Sequence, residues 1–205
     1  MSYDGLVSRH LNRRFSRPMA RWLARTGLTP NQVSFLSFLI GFSSLPAYAL
    51  GGNVLGGLLA QLSSVVDGVD GEIARLKGIE SSFGAFFDAI LDRYADAAIV
   101  LGMVFWAQRY EARPEAWFFG FLALSGSLLV SYSRARAEAS TTVEFRSGIP
   151  SLFSRDVRLL MVMIGSLVGQ VCLTLALLAV FTNLIVLHRL LYVWRCLGGP
   201  KNKRP

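Results

Sequence analysis

Four aspartates interrupt apolar segments of this 205-residue chain and are the residues best suited to chemistry. Asp67 and Asp70 are three residues apart, and Asp88 and Asp92 are four apart, so each pair shares one helix face. Four negative charges at close quarters require a cation among them. Hard divalent ions such as Mg²⁺ bind carboxylate oxygens and also bridge substrate phosphates. The spacing therefore predicts a site for Mg²⁺ or Mn²⁺, with two ions placed to clamp a displacement at phosphorus.

Helical geometry predicts that the two aspartate pairs meet. Asp67 lies about 13 residues, or about 20 Å, from the outer start of its helix, and Asp88 lies about six residues, or about 9 Å, from the cytoplasmic start of an antiparallel helix. Across about 30 Å of hydrocarbon these depths coincide. We expect the cluster in the cytoplasmic half of a helical bundle. Asp96 continues the series one turn deeper, and we interpret it as a hydrogen-bonded interior residue, with a fifth functional carboxylate as the alternative.

Two glycines and an arginine flank the aspartates. Gly71 and Gly84 allow a ligand or a neighbouring helix to approach the backbone closely. Arg75 lies about one turn beyond Asp70 and is placed to pair with a phosphate. The alternative is a purely structural cluster, in which nearby arginines neutralise the aspartates.

The elements that position these residues are predicted to be transmembrane helices. The composition is 53% apolar and 17% charged, with a mean hydropathy of +0.45, whereas soluble domains carry roughly 25% charged residues. We predict an all-α polytopic membrane protein with six spans, because a span needs about 20 mostly apolar residues. These spans are residues 31–51, 54–76, 82–108, 115–138, 152–168 and 170–194. Thr29, Pro30 and Gln32 are expected to start the first span with a capping box.

A basic amphipathic helix is predicted before the first span. Apolar residues recur at helical spacing between residues 5 and 25, and arginines fill other positions, which favours a helix in the membrane interface. Packing of this helix on the protein itself is the alternative, and Pro18 is expected to kink it. We therefore divide the chain into an interfacial helix (residues 1–28), a six-helix transmembrane domain (29–195) and a basic tail (196–205).

Basic residues predict the orientation and the partners. The net charge is +8, and the Lys and Arg residues fall on one side of the predicted spans except for Arg93, Arg109 and Arg113. The positive-inside rule places that side, both termini and the active site in the cytoplasm. Because the basic residues lie between apolar segments, we expect membrane lipids and phosphorylated substrates as partners, and no nucleic acid. Cys172 and Cys196 indicate neither a disulfide framework nor a zinc site.

The acidic segment matches a known signature. The pattern D-x2-D-G-x2-A-R-x8-G-x3-D-x3-D is filled by Asp67, Asp70, Gly71, Ala74, Arg75, Gly84, Asp88 and Asp92. It resembles the CDP-alcohol phosphatidyltransferase family. The resemblance implies an enzyme that moves a phospho-alcohol from a CDP-alcohol to an acceptor hydroxyl and releases CMP.

The resemblance also implies roles for individual residues. Asp67, Asp70 and Asp88 would hold divalent metal, with Asp92 as a further ligand and as the general base. The site for CDP would comprise Asp67, Asp70, Gly71, Ala74, Arg75 and Gly84. Asn31 is a further implied nucleotide contact, with helix capping as the alternative.

A second cluster of basic residues bears on the acceptor. Arginines converge from three predicted helices, and guanidinium groups bind phosphate bidentately. They are Arg134, Arg136, Arg155, Arg158 and Arg189. Positive-inside topology alone is the alternative explanation. Their placement resembles the inositol-phosphate branch of the family, although residues 154–158 depart from the Glu-Arg-x-x-Arg-like segment usual there.

This branch implies inositol 1-phosphate as the acceptor and leaves two donors open. Residues 4–13 look like those of di-myo-inositol-phosphate-phosphate synthases, which join CDP-inositol to inositol 1-phosphate, so CDP-inositol is favoured. A CDP-lipid such as CDP-diacylglycerol, as in phosphatidylinositol-phosphate synthesis, is the alternative. Those inositol enzymes are often fused to a cytidylyltransferase, which is not recognisable in these residues. Family analogy suggests a homodimer.

Other protein classes also bury aspartates in a helical bundle. A cation-coupled transporter is expected to have its site near the midplane, often within inverted repeats, and no repeat is visible here. An intramembrane prenyltransferase would show two separated aspartate-rich motifs, whereas this chain has one continuous block. A purely structural membrane protein would leave the filled signature unexplained.

Overall fold

The computed structural model describes residues 13–140, 145 and 153–197. This part of the chain consists of α-helices and their connections, without a strand, which confirms the all-α prediction for it. The helices are α1 (Arg13–Leu23), α2 (Pro30–Phe42), α3 (Ser44–Ala49), α4 (Asn53–Lys77), α5 (Ser82–Tyr110), α6 (Ala116–Ser140), α7 (Arg155–Val168) and α8 (Val171–Leu197). Most of the motif at residues 4–13 and of the tail at 196–205 lies outside the described residues.

The first predicted span is divided into two helices. α2 begins as predicted, because the Thr29 hydroxyl accepts a hydrogen bond from the Gln32 N–H (3.4 Å) and the Gln32 side chain accepts one from the Thr29 N–H (2.9 Å). The predicted span is found as one apolar segment, Pro30–Ala49, but its helix is interrupted at Ser43. Pro46 has no N–H to donate to the carbonyl of Phe42. α2 ends at Phe42, and α3 begins at Ser44.

Within the described residues, three segments are long and apolar enough to cross a membrane: Pro30–Ala49, Ala116–Ser140 and Val171–Leu197. The other predicted spans correspond to α4, α5 and α7. α4 and α5 have 25 and 29 residues, but they carry the charged residues of the signature, which lower their hydropathy. α7 has 14 residues, fewer than the roughly 20 that a span requires.

α4 occupies the position from which the site is built, because it contacts α1, α2 and α7. Glycines allow its close packing: a Cβ on Gly57 would lie 2.6 Å from the Cβ of Ser166 in α7, and a Cβ on Gly56 would lie 2.6 Å from the Tyr48 ring in α3. With α2 and α7 as neighbours, α4 can present signature residues to both helices.

α1 packs on the protein with one of its faces. Ser16 and Ala20 are buried, and Ala20 joins an apolar cluster with Val69 and Ile73 of α4. The packing that we considered as the alternative is therefore present, while Trp22 remains exposed. Pro18 lies inside α1, and the helix continues on both sides of it.

At the end of the bundle remote from the aspartates, hydrogen bonds join neighbouring helices. The Glu111 carboxylate, at the end of α5, accepts from the backbone N–H groups of Val171 (2.7 Å) and Cys172 (2.9 Å) at the start of α8. A carboxylate is favourable at a helix N-terminus. The Asn53 amide of α4 donates to the Ser166 carbonyl of α7 (2.9 Å). These contacts tie α5 to α8 and α4 to α7.

Candidate active site

The turn between α4 and α5 brings the two aspartate pairs to one place. α4 is followed by Gly78, whose φ of 64° is a left-handed conformation that glycine adopts without steric cost. The Ser81 hydroxyl then accepts a hydrogen bond from the Gly84 N–H (3.0 Å), which caps the start of α5. The chain reverses within a few residues, so the signature residues of both helices lie at the same end of the bundle.

Three of the four predicted carboxylates form a compact acidic group. Asp67, Asp88 and Asp92 each offer one oxygen, and these oxygens lie within 4.8 Å of one another. Asp70 faces α2, where it accepts hydrogen bonds from the Ser34 hydroxyl and the Gly71 N–H. The convergence predicted from helix depth is therefore observed, with Asp70 at the side of the group.

Arg155, at the start of α7, reaches into the acidic group. Its Nη1 lies 2.8 Å from Asp92 Oδ1 and 3.4 Å from Asp67 Oδ1, and its Nε lies 3.0 Å from Asp96 Oδ1. A guanidinium group between carboxylates relieves their mutual repulsion. The sequence predicted an acceptor-binding role for Arg155, and the structure shows that this residue also contacts the predicted metal ligands.

A cavity of about 720 Å³ lies beside the acidic group. Asp67, Asp70 and Asp88 line it, whereas Asp92 is outside the cavity wall that the structure describes and contacts the Arg155 guanidinium. We call one part of the wall the glycine side, formed by Asn31, Ser34, Gly71, Ala74, Arg75 and Gly84. We call the other part the arginine side, formed by Arg93, Ser131, Arg134, Arg155, Arg158 and Arg189.

The glycine side owes its shape to absent side chains. A Cβ on Gly71 would have the Arg75 guanidinium nitrogens, at 3.7 Å, as its nearest neighbours, so the glycine leaves space at the cavity wall. A Cβ on Gly84 would lie 3.1 Å from the Asn31 side-chain oxygen. Asn31 therefore faces Gly84 across the wall, and the cap of α2 is supplied by Thr29.

The arginine side consists of guanidinium groups that are already held by the protein. Arg134 Nε lies 3.0 Å from Glu138 Oε1, one turn along α6. Arg189 is buried and donates to the Ser133 hydroxyl at 3.1 Å. Its guanidinium carbon also lies 5.0 Å from the centre of the Phe145 ring, in a cation–π contact.

Arg136 differs from the other predicted acceptor arginines. It is exposed, and it is not among the described residues that line the cavity. Arg134 lines the cavity two residues earlier, and residues two apart on a helix do not face the same direction. Arg136 therefore lies away from the cavity wall that the structure describes.

A comparison with known proteins identifies the family. Residues 27–194 match the family described as CDP-alcohol phosphatidyltransferase. The chain belongs to this family. The signature residues that form the acidic group and the glycine side lie inside the matched region, so the family assignment and the geometry refer to the same site.

Relatives within the family include inositol-phosphate enzymes. The chain is 44% identical, over 94% of its length, to the bifunctional IPC transferase and DIPP synthase of Rubrobacter xylanophilus. It is 32% identical, over 83% of its length, to the archaetidylinositol phosphate synthase of Pyrococcus horikoshii, and the match covers 86% of that protein. The chain spans less than half the length of the bifunctional relatives that it matches.

A solved structure shares the fold. The phosphatidylinositol phosphate synthase of Mycobacterium tuberculosis with CDP-DAG bound superimposes with a TM-score of 0.77, at 30% identity. The match covers 88% of this chain and 94% of that one. The same synthase was also solved in complex with manganese and citrate.

The acidic group has the donor chemistry that a divalent cation of this family requires. Its ligand atoms are carboxylate oxygens, which hard cations prefer, and they are close enough together to share one ion. Asp70 is held beside them by Ser34 and Gly71. The residues present therefore fit a magnesium-like or manganese-like ion.

Two further side chains of α5 contact residues of the site. The sequence gave Arg93 no functional role, and it gave Asp96 one only as an alternative. Arg93 lines the cavity, lies 3.5 Å from the Asp92 carboxylate and donates to the Ser131 hydroxyl. Asp96 is buried and bonded to arginines, in agreement with its interpretation as an interior hydrogen-bonded residue. The available signal for Arg93 was its type, since an arginine inside a predicted span is costly and usually functional.

Proposed function

We propose that this chain transfers a phospho-alcohol from a CDP-alcohol to the hydroxyl group of a phosphorylated acceptor and releases CMP. The observation that carries the proposal is the acidic group of Asp67, Asp88 and Asp92 beside a cavity of the size that holds small molecules. Displacement at a diphosphate needs compensation of negative charge and a base near the nucleophile. The family signature and the observed geometry support both requirements at one position.

Asp67, Asp70, Asp88 and Asp92 would hold Mg²⁺ or Mn²⁺, and we propose two ions. When bound, the ions neutralise the diphosphate and stabilise the charge that develops on the leaving phosphate. Ser34 orients Asp70 through its hydroxyl hydrogen bond. Arg155 contacts Asp67 and Asp92, which keeps these two carboxylates directed toward each other.

Asp92 would act as the general base. It lies 2.8 Å from Arg155 and 3.5 Å from Arg93, beside guanidinium groups suited to the acceptor phosphate. Asp92 takes the proton of the acceptor hydroxyl, and that oxygen forms a bond to the phosphorus distal to cytidine. The bond between this phosphorus and the bridging oxygen breaks, and the oxygen leaves with CMP.

The glycine side would bind the donor nucleotide. The space beside Gly71 allows the diphosphate to approach the backbone of α4. Arg75 lines this part of the cavity and can pair with a phosphate oxygen. Ala74 and Asn31 complete the proposed nucleotide contacts, and Asn31 is supported by its position opposite Gly84.

The arginine side would bind the phosphate of the acceptor, which we propose to be inositol 1-phosphate. Arg134, Arg155, Arg158 and Arg189 approach one cavity from α6, α7 and α8. Guanidinium groups recognise a phosphate through paired hydrogen bonds. The names of the inositol-phosphate relatives support this choice.

Two donors are supported by different relatives. The DIPP synthase name of the relative from Rubrobacter xylanophilus supports CDP-inositol, which we favour. The CDP-DAG bound to the synthase from Mycobacterium tuberculosis supports a CDP-lipid as the alternative. The second activity in the bifunctional names is not proposed for this chain, which spans less than half of those proteins.

We further propose the placement of the chain in the membrane. α4, α5 and α7 would cross it together with the three sufficiently apolar segments, which gives six spans. α1 would lie in the interface with Trp22 toward lipid. The distribution of basic residues supports a cytoplasmic active site, cytoplasmic termini and insertion in the cytoplasmic membrane. Family analogy supports a homodimer.

One experiment tests the reaction and identifies the donor. Purified protein would be incubated with Mg²⁺ and labelled CDP-inositol or CDP-diacylglycerol, each with and without inositol 1-phosphate. We expect CMP in the mixture of CDP-inositol and inositol 1-phosphate, and its release at least about a hundredfold more slowly with the Asp92→Asn variant. CMP from CDP-diacylglycerol instead would establish the alternative donor. Absence of CMP from every mixture, with a folded protein that binds no cytidine nucleotide, would overturn the proposal and favour a transporter.

A further inference from the structure

Asp96 joins two arginines of the cavity without lining it. Only 5% of its surface is exposed, and it is outside the cavity wall that the structure describes. Its oxygens have different partners: Oδ1 accepts from Arg155 Nε at 3.0 Å, and Oδ2 accepts from Arg158 Nη2 at 3.2 Å. Both arginines line the cavity. Asp96 therefore acts on the cavity through two other side chains.

The contact with Nε determines how Arg155 is presented. A guanidinium group is planar and its donors form a rigid fork. Because Asp96 holds Nε, the orientation of the Nη donors is fixed, and Nη1 is directed toward Asp92 and Asp67. The remaining donors of a guanidinium group held in this way lose little freedom when they bind a ligand.

Asp96 also compensates charge between two neighbouring guanidinium groups. Arg158 is 4% exposed, and the Arg155 side chain is 13% exposed. Buried charges that lose their partner are strongly destabilised. A single carboxylate that accepts from both arginines allows them to lie side by side in the bundle. Without it, we expect the two groups to separate.

We infer that Asp96 is a positioning residue that holds Arg155 and Arg158 in the arrangement that receives the phosphate of the acceptor. The inference rests on the proposed function, because it takes Arg155 as a ligand of that phosphate. Asp96 itself touches neither substrate. Its replacement should therefore weaken acceptor binding and leave donor binding intact.

The first test is Asp96→Asn, which keeps the size of the side chain and removes its charge. We expect the KM for inositol 1-phosphate to rise about tenfold, the scale expected for loss of a charge-assisted hydrogen bond. The KM for the CDP donor should stay within about twofold, the change typical of positions away from the altered contact. Glu111→Gln is the matched control, because it removes a hydrogen-bonded carboxylate from the remote end of the same helix. An unchanged acceptor KM in Asp96→Asn would overturn the inference.

A double-mutant cycle separates positioning of Arg155 from a general structural effect. If Asp96 acts mainly through Arg155, Asp96→Asn should change the acceptor KM less than about twofold in an Arg155→Ala background, because coupled residues are not additive. An equal change in both backgrounds would show that Asp96 acts independently of Arg155. Asp96→Glu, which keeps the charge, should recover part of the lost acceptor affinity, and it serves as the test variant if Asp96→Asn fails to fold.

Direct binding of inositol 1-phosphate distinguishes failure of this inference from failure of the proposed function. Calorimetry on wild-type protein, without donor, should detect binding. If wild-type protein binds no inositol 1-phosphate, the acceptor proposal fails and the inference fails with it. If wild-type and Asp96→Asn proteins bind it equally, the proposed function stands and the positioning role of Asp96 is wrong.

Discussion

The two sides of the cavity are built in different ways. On the glycine side, Gly71 leaves space at the wall, and Arg75 is paired with Glu72 on its own helix (3.4 Å). On the arginine side, the guanidinium groups of Arg134 and Arg155 are each paired with a carboxylate of the protein. The glycine side therefore offers open space at Gly71, and the arginine side offers positive charges that the protein holds in place.

This difference determines how each side responds to substitution. A side chain added to an open wall occupies ligand space without disturbing internal contacts. A side chain removed from a paired cluster changes both the ligand site and the charges that were paired with it. Four substitutions, taken from the largest expected effect to the smallest, test the contrast.

Asp92→Asn should have the largest effect, because it removes the proposed base from the acidic group beside the cavity. We expect kcat to fall by about 10²- to 10⁴-fold, the range for loss of general base catalysis. Binding of the CDP donor, measured by calorimetry, should persist. Glu111→Gln, at the far end of α5, should retain wild-type turnover. Product formation by Asp92→Asn at the wild-type rate would remove Asp92 from the base role.

Arg155→Ala should mainly affect the acceptor. We expect its KM to rise about 10- to 100-fold, since charge-assisted hydrogen bonds are about twice as strong as neutral ones. The variant also removes the guanidinium partner of Asp67 and Asp92, so the Mg²⁺ concentration for half-maximal rate should shift, which a metal titration would detect. Arg109→Ala, an exposed arginine at the other end of α5, is the matched control. Loss of CDP binding with an unchanged acceptor KM would reverse the assignment of the two sides.

Gly71→Ala should act on the donor. The added Cβ meets no protein atom nearer than 3.7 Å among the described contacts, so we expect the melting temperature to remain close to that of wild type. The donor KM should rise about fivefold to tenfold, because the added methyl group would occupy space that we assign to the donor. Overfilling such a contact costs on the order of 1 kcal/mol. Gly27→Ala is the control, since a Cβ there has no neighbour within 4 Å. A large drop in melting temperature with a normal donor KM would contradict the open-wall description.

Arg136→Ala should have the smallest effect. Its side chain is exposed and outside the described cavity wall, so kcat and both KM values should stay within about twofold of wild type, as for surface positions. Arg134→Ala, two residues away on the same helix, should raise the acceptor KM more. Equal effects of the two substitutions would mean that the arginines act through overall charge and not through position.

The sequence was a better guide to the acidic group than to the arginine side. Spacing alone placed Asp67, Asp88 and Asp92 together, because three- and four-residue intervals on neighbouring antiparallel helices determine which side chains can meet. The capping box at Thr29 was likewise local. By contrast, the pairing of Asp96 with Arg155 joins residues 59 positions apart, and it depends on how α5 and α7 pack. Residue type indicated arginines for the acceptor, but exposure distinguished Arg136 from the rest.

The break in the first predicted span had a local cause that was visible in the sequence. Pro46 removes one backbone hydrogen bond from the helix, and α2 ends four residues before it. The apolar pattern continues across the break, so hydropathy indicated one segment. The sequence also indicated spans for α4 and α5. The charged residues of the signature in these helices keep their mean hydropathy below that of the three apolar segments.

The Glu111 cap has a consequence for motion. It fastens the last turn of α5 to the first turn of α8, while the opposite ends of these helices carry Asp92 and Arg189 near the cavity. Sliding of α5 against α8 at this end would break two hydrogen bonds to backbone N–H groups, so we expect the two helix ends to stay together.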